Sequence, residues 1–346
     1  MSVSFPGAKK LKKHNGFSNS AVIKVPLPSP IHFFGLHQGD ITLNPLVKKG
    51  EYVLVGHKIA DMNDSNAVPV YSSVSGVVAD VTEDMISIEN NFLFERTDAV
   101  NFEKTPDEMT SRELLWILRE SGVCEARTGT PVHTLLSSDK ADCIIVCCFD
   151  SDPYISSPQM AAKGNAKKIL KGLEIVQQIL GIKKTIIGIE NDTKINFSDF
   201  KYNLRYNDDI LLYSLKARYP QSRDDILVKT LTGKDMSRIN AVILSSETLL
   251  NIANVFETGF PVINKIVTVS GDDILPPLNY IVPLGMPVSS LLSNSGYTSP
   301  KKVIIGGVID GKQITDLDIP INNHTNAVLA FSNEENIPQY EIKKLI

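Results

Sequence analysis

The chain has 346 residues, 42% hydrophobic and 21% charged, a globular balance that excludes collagen-like, fibrous and disordered classes. Its formal net charge of −4 argues against a protein that grips nucleic-acid phosphates, so no nucleic-acid partner is expected. No apolar run approaches the roughly 20 residues of a membrane-spanning helix, so no direct membrane span is expected and membrane contact would come through a partner protein.

The opening stretch carries Lys9, Lys10, Lys12 and Lys13 with no apolar core behind them, so it does not read as a secretory signal. It reads as a solvated tail, with docking to an acidic partner as the alternative. The cysteines, Cys124, Cys143, Cys147 and Cys148, make neither a C-x-x-C pair nor a disulfide framework, which points to a reducing cytoplasm.

The first hundred residues read as short β elements with Gly- and Pro-containing turns: Val22 to Leu27, Asn44 to Ile59, Val68 to Val81 and Met85 to Glu89. Strands this short and closely spaced predict a small barrel or sandwich. Ser111 to Glu120 predicts a helix with Leu114, Leu115, Ile117 and Leu118 on one face, ended by Gly122. Cys143 to Phe149 is a continuous apolar run, the mark of a strand buried on both faces.

Ser157-Pro158 predicts an N-cap followed by proline, and Ile169, Leu173, Val176 and Leu180 continue at helical spacing to Gly181. Strands at Thr185–Ile189, Ile210–Leu215 and Ala241–Leu244 then alternate with helices at Arg223–Leu231 and Glu247–Phe256. Such alternation implies parallel pairing in a doubly wound sheet. After Pro261 come strands at Ile266–Ser270, Tyr280–Val282 and Val303–Gly307, a short helix at Met286–Leu292 and a last strand at Ala327–Phe331.

Two levels of resemblance rest on these segments. The stretch from Val47 to Val81 looks like the barrel-sandwich hybrid of lipoyl and biotinyl carriers, but its hairpin tip, Asp61 to Ala67, has no lysine to modify. It therefore reads as a structural or docking module. In order along the chain, PLVKKGEYVLVGHKIA, SSVSGVV, TGTPVHT, DSDPYIS, LGIKKTIIGIE, RYPQSRDDILVKTLTG, IVTVSGDDILPPLNYIVPLGMP and VIIGGVIDG resemble the RnfC family of the Rnf ferredoxin–NAD electron-transport complex. The wider group includes the flavin-carrying component of NADH dehydrogenases and the NqrA-type component of the sodium-pumping quinone reductase.

The resemblance implies an α/β multidomain fold. Its parts are a barrel-sandwich hybrid over 1–105, a flavin-domain-like doubly wound parallel α/β domain over 106–262, and a β-grasp, soluble-ligand-binding unit with the C-terminal strand over 263–346. It also implies a cytoplasmic protein, peripheral on the inner face of the cell membrane, that meets other redox-complex subunits and exchanges electrons with FMN or NAD(H).

Two departures follow from the match. The family's cluster motifs need cysteines, and none follows Cys148, so no iron–sulfur cluster is expected in this chain. The family's glycine-rich flavin loop is replaced by Cys124-Glu125-Ala126-Arg127-Thr128-Gly129-Thr130-Pro131-Val132-His133-Thr134, which keeps Gly129, Pro131 and His133. Side chains at Glu125, Arg127 and Thr128 would fill space that glycines leave open, and Glu125 would bring negative charge toward a phosphate. Weak FMN binding is the consequence; the loop resembles that of the NqrA-type component, which does not use FMN in that way.

The family's E-C-E-P-Y-L-T becomes Asp150-Ser151-Asp152-Pro153-Tyr154-Ile155-Ser156, and Glu190 matches its I-G-I-E. The resemblance thus implies cofactor contacts at Gly129, Pro131, His133, Asp150, Asp152, Tyr154 and Glu190. Some have a plain alternative: a helix-capping turn for the aspartates, a loop hydrogen bond for His133. Cys147 and Cys148 read as buried strand residues, Cys124 as an exposed loop thiol. Gly306 to Lys312 fits G-x-x-x-x-G-K, but Gln313 replaces the magnesium-binding hydroxyl and no helix is expected, so it is not a phosphate loop.

Two functions remain open. One is an RnfC-type electron-transfer protein with an eroded flavin loop. The other is a cofactor-free adaptor, with a variant in which loop thiols carry electrons for an amino-acid reductase such as proline reductase.

Overall fold

Cys143–Cys147 (β1) is buried at every position and lies inside a four-stranded parallel sheet. Its partners are Thr185–Glu190 (β2), Ile210–Leu215 (β3) and Ala241–Ser245 (β4), in the spatial order β3-β2-β1-β4. An inner strand covered on both faces must be apolar throughout, which is why this run shows no alternation. The computed structural model describes residues 3–14, 21–26, 28–137, 141–191, 198–274, 276–297 and 302–338.

Helices cover both faces of this sheet. Ser111–Glu120 (α1), Val132–Ser137 (α2), Ser157–Ala162 (α3), Ala166–Leu180 (α4), Ser198–Asn203 (α5), Asp224–Thr232 (α6) and Ser246–Thr258 (α7) follow in chain order. Leu114, Ile169, Leu173, Val176, Leu249 and Ile252 meet Ile144 and Val146 on one face. Leu227, Val228 and Leu231 meet Cys143, Ile145 and Cys147 on the other.

One helix expectation is corrected. The run from Ser157 to Leu180 is two helices, because Gly164 adopts φ 71° between them. Ser156, not Ser157, is the capping position, and its side chain makes no cap bond. Helix α1 carries a capping box of Thr110 and Glu113 that the apolar spacing does not reveal.

The N-terminal unit sets a four-stranded antiparallel sheet (Ile31–Gly35, Met85–Asn90, Gly76–Val81, Tyr52–Val53) against a three-stranded one (Asn44–Pro45, Lys58–Asp61, Val70–Tyr71). Phe34, Leu43, Ile59, Val78, Ile86 and Ile88 fill the space between. The hairpin tip is fastened to the central unit. Arg119 donates to both carboxylate oxygens of Asp61 and to the Met62 carbonyl. Lys58 pairs with Glu120 at 2.6 Å, and Tyr71 donates to the Glu120 carbonyl.

The third unit is a six-stranded mixed sheet containing Asn264–Ser270, Leu278–Pro283, Lys302–Ile305, Lys312–Ile314 and Ala327–Phe331. Its first edge strand is Ile23–Lys24, which pairs in parallel with Tyr280–Ile281. The stretch Val22–Leu27, expected within the N-terminal unit, therefore contributes its strand elsewhere; Leu27 itself is outside the described residues. Among the described residues no helix is long and apolar enough to cross a membrane.

Helices α4 and α7 cross closely at Gly172. A Cβ there would stand 2.1 Å from the Leu249 carbonyl oxygen, so the helices must part to admit one. Gly172→Ala is expected to lower stability by about 1–3 kcal/mol by overpacking, although alanine is the better helix former by up to about 1 kcal/mol. Urea denaturation checks this, and a more stable variant would disprove the contact.

Candidate functional site

In open α/β sheets, ligands bind beyond the carboxyl ends of the strands, where the strand order reverses. Here the chain builds β1, then β2 and β3 to one side, then returns to place β4 on the other. The reversal lies between β1 and β4. A side chain of the chain itself fills it.

Glu125 is 1% exposed. One carboxylate oxygen accepts from the Ser245 backbone N–H at 3.0 Å and from the Thr248 hydroxyl at 2.8 Å. These groups open α7, so the carboxylate sits at a helix N-terminus, where an anion is favoured. The other oxygen pairs with Arg127 Nε at 3.3 Å. Arg127 continues to Asp224 at 2.9 Å and to the Ser222 carbonyl at 3.3 Å, tying the loop to the start of α6.

A second group gathers beyond β1 and β2. Asp150 accepts from the Asp152 N–H at 2.8 Å; Asp152 accepts from the Tyr154 N–H at 2.9 Å and the Ile309 N–H at 3.1 Å. Glu190, the last residue of β2, pairs with Lys13 at 3.1 Å. Lys13 also donates to the Asp150 carbonyl at 3.2 Å. The His14 ring lies flat on the Tyr154 ring, with centroids 4.7 Å apart and planes 5° apart.

Burial pushes the carboxyls of Asp150 and Glu190 above the ordinary range, with Lys13 opposing in both cases. Burial, then the neighbouring Asp150 charge, pushes Asp152 up to about 7. Close docking accounts for part of this burial: a Cβ on Gly307 would stand 2.4 Å from the Asp152 carboxylate oxygen. The glycine-rich stretch Gly306 to Lys312 is thus a turn between strands that covers Asp152, and the next element after it is a strand, not a helix.

The structure therefore brings Asp150, Asp152, Tyr154 and Glu190 together. Gly129, Pro131 and His133 lie apart from them. Gly129 packs against the His324 ring, Pro131 bridges to Cys124, and His133 Nε2 meets the Ser65 carbonyl at 2.7 Å in the fastened hairpin. Lys13 and His14 join the site without having been expected there. The signal available is a basic stretch in an acidic chain, and the stretch is no solvated tail at Lys13, which finds its acidic partner within the chain. Glu125 stands out in the sequence as a bar to phosphate, but its bonds to Ser245 and Thr248 have no local signature.

All four cysteines are buried, which corrects the expectation of an exposed Cys124. Its sulfur lies 3.5 Å from the Asn323 side-chain nitrogen. Burial pushes the thiols of Cys124 and Cys147 up to about 12 and that of Cys148 well above its ordinary value. Neutral thiols are poor nucleophiles and redox groups. Elsewhere, a cleft of about 490 Å³ lies at the junction of the units beside Arg96, Asn251, Phe260 and Lys265, and none of the expected site residues lines it.

With this geometry in view, comparison with known proteins defines the class. Residues 3–97 match the RnfC barrel sandwich hybrid domain, and residues 118–264 match the Nuo51 FMN-binding domain. The NAD+-reducing NiFe hydrogenase in its air-oxidised state shares the fold, with a TM-score of 0.53 at 16% identity. That match covers 69% of this chain and 52% of the hydrogenase chain.

The two domain matches, with the relatives that follow, support an RnfC-like family for the chain. The RnfC relative from the proton-translocating ferredoxin:NAD(+) oxidoreductase complex of Clostridium ljungdahlii is 26% identical, over 92% of this chain and 74% of its own length. Its counterpart from the Na(+)-translocating complex of Acetobacterium woodii is 28% identical, over 84% and 70%. For the relative from the ion-translocating oxidoreductase complex of Vibrio cholerae the identity is 26%, and only 40% of that longer chain is covered.

The arrangement does not fit FMN as it stands. The amide and hydroxyl donors at the head of α7 are taken by Glu125, and the Tyr154 face is taken by His14.

Two measurements probe this site. Thiol labelling of the native protein is expected to modify none of the four cysteines within minutes and all four after unfolding; rapid labelling at Cys124 would contradict its burial. Asp152 should tilt the stability profile. An unfolded aspartate titrates near 3.9, whereas the folded one titrates near 7. Between these values the folded chain keeps a proton that the unfolded chain has lost, so this contribution is full below about 4 and fades as pH rises to about 7. Asp152→Asn should flatten that slope in urea denaturation at several pH values, and an unchanged slope would reject the assignment.

Proposed function

We infer that this chain is a peripheral, cytoplasmic electron-transfer protein of the RnfC type that docks to the other subunits of a membrane-associated redox complex. Its flavin loop is eroded, and FMN and NAD(H) are held weakly if at all. The observation that carries this reading is the Glu125 carboxylate on Ser245 and Thr248, an internal anion at a helix head beside the strand-order reversal, where an anionic ligand would otherwise be favoured. The division at 105 and 262, with the last part a β-grasp unit, belongs to the same reading.

A second reading, the cofactor-free adaptor, draws support from the fastened hairpin at Asp61 and Ser65 and from the domain-spanning contacts of the loop. The thiol-based variant draws none, because the cysteines are buried and neutral.

Flavin titration separates the two. Each charge-assisted hydrogen bond withheld from a phosphate removes about 1.5–3 kcal/mol, so losing two weakens binding by roughly 3–6 kcal/mol, about 10² to 10⁴ in affinity. The unmodified chain is expected to bind FMN at micromolar affinity or worse, followed by fluorescence quenching. Replacing Glu125, Arg127 and Thr128 together by glycine should tighten it at least ~100-fold. A dissociation constant below about 0.1 μM, near −9.5 kcal/mol, for the unmodified chain would overturn the erosion. No gain in the triple variant would favour the adaptor.

A further inference from the structure

We propose that residues 3–14 are a strap that lies across the carboxyl ends of the sheet and fills, with Lys13 and His14, a seat for a flat heteroaromatic ring on Tyr154. This rests on the reading of the crevice as a flavin-type site and adds what controls access to it.

The strap follows the sheet edge and then crosses it. Val3 pairs in parallel with Leu215 at the end of β3, through bonds of 2.9 Å to the Ser214 carbonyl and from the Lys216 N–H. Lys9 exchanges two backbone bonds with Tyr219, at 3.2 and 2.9 Å. The chain then reaches Glu190, at the end of β2, through Lys13. At the segment that leaves β1, the His14 N–H donates to the Pro153 carbonyl at 2.7 Å. The Ser270 hydroxyl, from the third unit, donates to the His14 carbonyl at 3.2 Å. With Glu125 at the end of β4, all four carboxyl ends are met by segments of this chain.

The occupants show what the seat accepts. Tyr154 is buried, with His14 flat on one face and Phe331 edge-on at 5.7 Å. A ring fixed this way offers a stacking platform. Burial, then nearby Lys12, lowers the His14 pKa, so the stacked imidazole is neutral at pH 7. Beside it, Glu190 and the Asp150 carbonyl take hydrogen bonds from a cation. The matching ligand is a planar ring with hydrogen-bond donors on its edge and no phosphate near the carboxylates. A strap that occupies the seat reduces apparent affinity by the fraction of time the seat is free.

Riboflavin and FMN, titrated into the unmodified chain and its variants, test this. Lys13→Ala with His14→Ala should bind riboflavin at least ~10-fold tighter than the unmodified chain, and FMN likewise. The glycine-loop triple variant should tighten FMN but not riboflavin, because riboflavin has no phosphate. Loss of Lys13 leaves Glu190 with a weaker set of partners, so His14→Ala alone, which keeps that pair, is the second strap variant; it should tighten riboflavin in the same direction. Hydrogen exchange at the His14 amide should speed up when riboflavin is added to the unmodified chain. Unchanged riboflavin affinity in both strap variants overturns the proposal, even where the triple variant gains FMN and the loop reading stands. A gain in the strap variants without one in the triple variant leaves the strap and removes the loop reading. Failure of every one of these proteins to bind riboflavin at millimolar concentration also overturns the strap.

Discussion

A buried carboxylate with its donors organises the centre of this molecule. Glu125 lies at the strand-order reversal, and its two oxygens reach in different directions: one to the head of α7, the other to Arg127 and through it to α6. Removing one member of a buried, hydrogen-bonded charge pair costs about 3–5 kcal/mol, far more than a surface pair is worth. Loss of Glu125 alone would leave Arg127 and the donors at the head of α7 without their anion. The physics that lets a helix N-terminus hold a cofactor phosphate here holds the protein's own loop.

From that anchor the three units are locked to one another. The loop that carries Glu125 packs Gly129 on His324 and Cys124 on Asn323, both from the third unit. The next helix turns His133 to the Ser65 carbonyl of the N-terminal hairpin, beside the Arg119–Asp61 pair. At the first turn of α7, Glu247 accepts from the Ile266 N–H at 2.7 Å and pairs with buried Lys265. A hairpin shaped like that of a swinging carrier is thus immobilised by charged bonds at its tip.

What was legible in the sequence was local. The run Cys143 to Phe149 declares a doubly covered strand, and the periodicity of Leu114, Ile117 and Leu118 declares a helix. Those signals depend on neighbours within a few residues. Ile23–Lys24 joins Tyr280–Ile281, Glu125 meets Ser245 and Thr248, and Lys13 meets Glu190; each partner is more than a hundred positions away. Nothing in a two-residue strand or a single lysine specifies such a partner. The four acidic and aromatic positions around Asp150 were found through resemblance, because their meaning lies in where a strand ends. The glycine-loop matches were equally visible, but Gly129 and His133 serve contacts between units and Pro131 closes its own loop on Cys124.

On the proposed reading of the chain as an electron-transfer protein a carrier is required, and the site narrows which carrier could enter. The thiols are buried and neutral, so they are poor relays. A phosphate approaching the reversal point meets Glu125, already paired with Arg127, and one approaching Tyr154 meets Asp150, Asp152 and Glu190, with Lys13 paired to Glu190. Within about 4–6 Å, like charges raise the cost of a second anion, and burial magnifies it. A neutral ring meets neither penalty; it has only to exchange one stacked ring for another on Tyr154. The crevice thus discriminates on charge before shape.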